Sequence, residues 1–115
     1  MERERFEVLV EAALKKLPSR FRRELHNIAV LVEDRPPRGR NLLGVYQGVP
    51  LDRRGSWYGN VPPDVIVIYQ KPIEQLCLSD EDVEEKVRTV VLHEIGHYFG
   101  LDEKTLADIE RDLDY

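Results

Sequence analysis

The chain has one cysteine, Cys77, so no disulfide can form within it. That scarcity suits a reducing compartment, and the cytoplasm is the expected location. Long apolar runs are missing too. "VIVIY", at 65–69, falls far short of the roughly 20 apolar residues that a membrane-spanning helix needs. The first stretch, "MERERFEVLVEAALKK", is charged and amphipathic, with no unbroken apolar segment of the kind a secretion signal carries. No repeat and no low-complexity segment is visible. What remains is an ordinary soluble composition, 42% hydrophobic and 34% charged. A chain of 115 residues fits one domain, residues 1–115, and can bury a core without staples.

The net charge of -5 is unevenly spread. Residues 1–60 carry 12 Lys and Arg against 8 Asp and Glu, whereas residues 61–115 carry 5 against 14. Arg20, Arg22, Arg23, Arg35, Arg38 and Arg40 crowd the first half. No nucleic-acid motif accompanies them, so they read as a solvated surface. Neither nucleic acid nor a membrane is an expected partner.

Apolar spacing predicts a helix over 3–17, with Phe6, Leu9, Val10, Ala13, Leu14 and Leu17 on one face and Pro18 as its stop. A short helical turn can follow at 19–25. "NIAVLVED", 27–34, reads as a buried strand and "LLGVYQG", 42–48, as a weaker one. Residues 50–64 form a long Gly- and Pro-containing loop, and long loops of this kind are often functional. "VIVIYQ", 65–70, is the clearest strand. "KPIEQLC" suggests a helical turn. Ser79 then caps the main helix, with Asp82 three residues on and acidic residues in its first turn. Gly100 is placed to end that helix in a left-handed conformation. Asp102 can cap a last helix, roughly 103–113, that turns Leu106, Ile109 and Leu113 inward.

Two of the three histidines lie in "VVLHEIGHYFGLDE", residues 90–103. On a helix, positions i and i+4 stand one above the other. His93 and His97 can therefore present both imidazoles to one metal ion, and zinc (Zn2+) takes nitrogen ligands in tetrahedral geometry. Glu94 is rotated about 100° from His93. It stands beside the metal, where it can take a proton from an attacking water and pass it to the leaving amine. The pattern extends to H-E-x-x-H-x-x-G-x-x-E, with Glu103 in the place of a third ligand. Asp102, Asp108 and Glu110 are the alternatives. His26 reads as a surface or satisfied histidine. "CLS" at Cys77 is similar to the cysteine-ligand segment of peptide deformylases. Here Leu76 replaces the preceding glycine and that family's glycine-rich motif is missing, so Cys77 reads as a buried core cysteine.

The order of elements, the zinc motif, "NIAVLVEDRP", "LLGVYQGVPL" and "RGSWYGNVPPDVIVIY" together resemble the minimal zincin-like metallopeptidases of bacteria. The similarity spans nearly the whole chain. It implies an α+β fold with a small mixed sheet, an N-terminal helix, an HExxH active-site helix and a short C-terminal helix. It also implies a zinc site at His93 and His97 with Glu94 as base. The chain departs from full metzincins: Glu103 replaces a third histidine, and Met1 is the only methionine, so no Met-turn exists. The expected activity is hydrolysis of a peptide or protein substrate. Tyr58 and Tyr98 are candidate oxyanion donors, and Trp57 a pocket wall. Strand 65–69 is the expected cleft edge to which peptide adds. The other class of reading is a metal-binding or protein-interaction domain without turnover.

Overall fold

The computed structural model describes residues 1–25, 27–48 and 64–112. Tyr58, Trp57, His26 and Leu113 lie outside the described residues. The elements run α1 (Arg3–Lys15), α2 (Ser19–Arg22), β1 (Ile28–Glu33), β2 (Gly44–Gln47), β3 (Asp64–Tyr69), α3 (Gln70–Gln75), α4 (Asp80–Tyr98) and α5 (Glu103–Asp112). The α+β class and the small mixed sheet are as expected. No helix among the described residues is long and apolar enough to cross a membrane.

The sheet corrects one expectation. Its strand order is β1-β3-β2, with β1 parallel and β2 antiparallel to β3. The strand expected at the cleft edge is therefore the central one. The reason lies in its residues: Ile66, Val67, Ile68 and Tyr69 are all buried. A run apolar at successive positions, without alternation, suits a strand covered on both faces. The edge next to the main helix is β2, which carries glycine and polar residues. Leu43 O accepts from Tyr69 N at 2.9 Å, and Val45 stands opposite Val67. Antiparallel alternation then turns the main-chain groups of Gly44 and Tyr46 to the outer edge.

Helix α4 organises the rest. It packs on α1, α3, α5, β2 and β3. Val83, Val87, Val90, Val91, Ile95 and Tyr98 are all buried along it. From α1, Phe6, Val10 and Ala13 join the same core. The start of α1 is tied down by polar contacts as well. Arg3 donates to Gln70 Oε1 at 3.0 Å and to Val32 O at 3.0 Å, and it pairs with Asp34. Gln70 is itself buried and donates to Met1 O at 2.8 Å. Cys77 differs from expectation: it is half-buried against the core rather than inside it, because α3 ends at Gln75 and leaves it in the connection to α4.

Phe6 is wholly buried under α4. Phe6→Ala is expected to cost about 3–5 kcal/mol, the usual range for truncating a buried aromatic. Urea denaturation followed by circular dichroism measures it. A cost below about 1 kcal/mol, well under that range, would show that α1 is an accessory to the fold.

Candidate metal centre

The site is made by how α4 begins, how it ends and how the chain turns back. Ser79 Oγ accepts from Asp82 N at 3.1 Å, and Asp82 Oδ2 accepts from Leu78 N at 3.1 Å. The reciprocal pair satisfies main-chain donors that a helix start would leave open. At the other end Gly100 has φ 79°. Its N–H donates to His97 O at 2.9 Å and Leu101 N donates to Gly96 O at 3.0 Å. This pair of bonds is a Schellman ending, and it needs the left-handed residue that glycine supplies. The chain reverses at once. Asp102 caps α5, accepting from Thr105 N at 2.7 Å.

That reversal lays the first residue of α5 over the histidine pair. His93 Nε2 lies 3.3 Å from Glu103 Oε2, and His97 Nε2 lies 3.3 Å from Glu103 Oε1. The imidazoles are 4.7 Å apart between centroids. Among the described residues, His93, His97 and Glu103 form the group of metal-binding type, with ligand atoms within 4.8 Å of one another. Ligands held ~2.0–2.1 Å from a tetrahedral ion stand about 3.3–3.4 Å from each other. Each imidazole stands at about that separation from one oxygen of Glu103, so the three side chains could hold such an ion. Asp102 is occupied as a cap, and its carboxyl is held below the usual range by the Thr105 bonds. Asp108 is not in the group, and the side chain of Glu110 lies outside the described residues.

Glu94 stands where the sequence puts it, beside the ligands. Burial pushes its carboxyl above the usual range and Glu103 adds to the rise. His93 and an N–H donated by Tyr46 oppose it. Burial and His93 lower the pKa of His97, with Glu103 opposing. A lowered pKa keeps the imidazole neutral, the form a metal requires. A cavity of about 650 Å³ opens here between β2 and α4, lined by Tyr46, Gly48, His93, Glu94 and His97 among others. Tyr98 is not part of it. It is fully buried, with its ring edge-on to Tyr46 at 6.1 Å. One residue past His97 means a turn of about 100°, and that carries Tyr98 into the core.

Three residues of the site escaped the sequence reading. Tyr46 gives Glu94 a main-chain donor from the strand edge. Gly44 lets α4 approach: a Cβ there would lie 2.9 Å from Val90 Cγ1. Gly96 lets α5 approach, since its Cβ would lie 1.9 Å from Leu106 Cδ2. The available signal was glycine inside a strand pattern and inside a helix pattern, which often marks close packing.

Residues 25–113 match the family described as zincin-like metallopeptidase. A conserved hypothetical protein from Thermo thermophilus, of solved structure, is 25% identical. It aligns with a TM-score of 0.58, over 94% of this chain and 99% of that one. No curated protein matches the chain.

Two outcomes are expected. Gly96→Ala must push Leu106 away and shift Glu103, weakening binding of a divalent metal by about 10–100-fold with every ligand intact. Competition against a chromophoric chelator measures this; unchanged affinity would show that α5 does not set the third ligand. Glu94→Gln is expected to stabilise the metal-free chain at pH 7. A carboxyl whose folded pKa is raised destabilises the fold above that pKa and not below its unfolded value. The gain should therefore shrink as pH falls and vanish near pH ~4, about the unfolded value for Glu. Urea midpoints across roughly pH 4–8, the range that spans that value, read it.

Proposed function

This chain belongs to the zincin-like metallopeptidase family, and from that premise we propose that it is a zinc-dependent peptidase. The observation that carries the reading is the Glu103 carboxylate spanning His93 and His97, with Glu94 alongside. Two imidazoles and one carboxylate are a donor set that suits zinc and leaves a fourth position for water or substrate. When bound, zinc supplies polarisation of the peptide carbonyl and acidifies the attacking water.

The protein's own groups do the rest. Glu94 takes the proton of that water and delivers it to the leaving amine. Its burial favours the protonated form, so the carboxylate is a better base than an exposed one and, once protonated, still an acid. The Tyr46 N–H limits the rise and orients the carboxylate. The peptide adds to the outer edge of β2, where Gly44 turns its main-chain groups and Tyr46, its N–H given to Glu94, turns its carbonyl. That places an extended substrate along the cavity mouth, across from His93 and His97. Tyr58 remains a proposed oxyanion donor on sequence grounds alone. The substrate is a peptide or an extended segment of a protein.

Glu94→Gln protein is expected to keep its zinc and to cleave an unfolded peptide pool at least ~10²-fold more slowly, the low end for removing a general base. Mass spectrometry of the digests and metal analysis of the same samples read both properties. Equal cleavage by wild type and mutant, with zinc bound, would falsify the assignment of Glu94.

A further inference from the structure

A second cavity, of about 320 Å³, adjoins the metal centre and shares Gly44, His93 and Glu94 with it. Its walls are mainly apolar. Leu42 and Leu43 come from the segment entering β2, and Val90 and Thr89 come from α4. Its far end carries a cation, Lys86. Lys86, Val90 and His93 are spaced to share one face of α4, with Lys86 about two turns from His93.

Lys86 is half-buried. Among the described residues its ammonium makes no ion pair and no hydrogen bond. Lys86 also borders a smaller cavity with Asp82 and Glu85, where one Asp82 oxygen is held by Leu78 N in the helix cap. An apolar slot with one cation at its end, opening onto ligands and base, fits a segment that is apolar in the middle and anionic at its end.

We propose that this cavity receives the part of the substrate next to the scissile bond and selects an apolar side chain accompanied by a carboxylate, which pairs with Lys86. The proposal rests on the peptidase reading for its link to catalysis. The carboxylate can be the C-terminus of a peptide or the side chain of Glu or Asp. Both have the same chemistry at Lys86.

Zinc-loaded protein titrated with small acids tests it, read by amide shifts of Leu43, Thr89 and Val90 in NMR spectra. N-acetyl-leucine should bind about fivefold tighter than its amide, the size of one partly exposed ion pair, and tighter than N-acetyl-glycine. The pair N-acetyl-glutamate amide and N-acetyl-glutamine amide tests the side-chain source in the same way. Lys86→Met, which keeps the stem, should abolish the preference for acid, and Lys86→Glu should reverse it. The proposal is overturned if acid and amide bind alike in wild type. It is equally overturned if the preference survives in Lys86→Met, because the carboxylate then sits on the metal. These titrations need no turnover. Binding as expected without any cleavage of peptides overturns the peptidase reading alone, and cleavage without an acid preference overturns this cavity's role alone.

Discussion

The candidate metal centre depends on one close approach, that of α5 to α4 at Gly96. Two histidines at i and i+4 are aligned by their own helix, so they need little help. Glu103, the third member of the group, comes from a different helix and must be brought there. Leu106 is fully buried against the bare backbone of Gly96, where any side chain would collide with it. The contact draws in α5, whose first residue is Glu103. Gly100 and Asp102 set the direction of the turn, and the Leu106 contact sets its depth. Packing, not ligand chemistry, therefore determines whether the carboxylate reaches both imidazoles.

The same compactness creates an electrostatic cost. Glu94 is buried, and Glu103 lies close enough to raise its pKa further. In the metal-free chain the local fold has to hold two carboxylates beside the imidazole pair. A divalent cation among them reverses the balance, because it neutralises the acids and needs the imidazoles uncharged. The groups that make the empty arrangement unfavourable are the ones that make the loaded one favourable. Readiness for a metal and stability of the fold then pull in opposite directions at Glu94.

Most of this was legible in the sequence, and the remainder was not for definite reasons. His93, Glu94, His97 and Glu103 are fixed by local spacing on a helix and across a capped turn, and such spacing survives in a one-dimensional reading. Ser79, Gly100 and Asp102 are punctuation of the same local kind. Which strand lies at the edge was not readable, because sheet order is set by pairing between distant segments. "VIVIY" announces burial, yet burial on both faces places it in the centre and hands the edge to the shorter "GVYQ". Tyr46 escaped notice for a related reason: its contribution to Glu94 is a main-chain N–H, which no residue type encodes. Tyr98 follows His97 along the chain, but the helical turn between them carries it into the core and away from the cavity.

Among the described residues α4 is the longest helix, and by rotation it serves both the core and the candidate metal centre. Leu92, Ile95 and Tyr98 are fully buried, while His93 and His97, the residues following or lying between them, are about one third exposed. Steps of about 100° turn some residues into the core and others toward the cavity. Loss of a side chain from the buried face of α4 is expected to shift the helix, and His93 and His97 with it. The site's geometry is thus held by the domain's whole hydrophobic core, including α1, which lies before the first residue of the family match. That helix buries Phe6 and Val10 in the core that α4 shares, so the segment outside the recognised family region still helps to hold His93 and His97 in register.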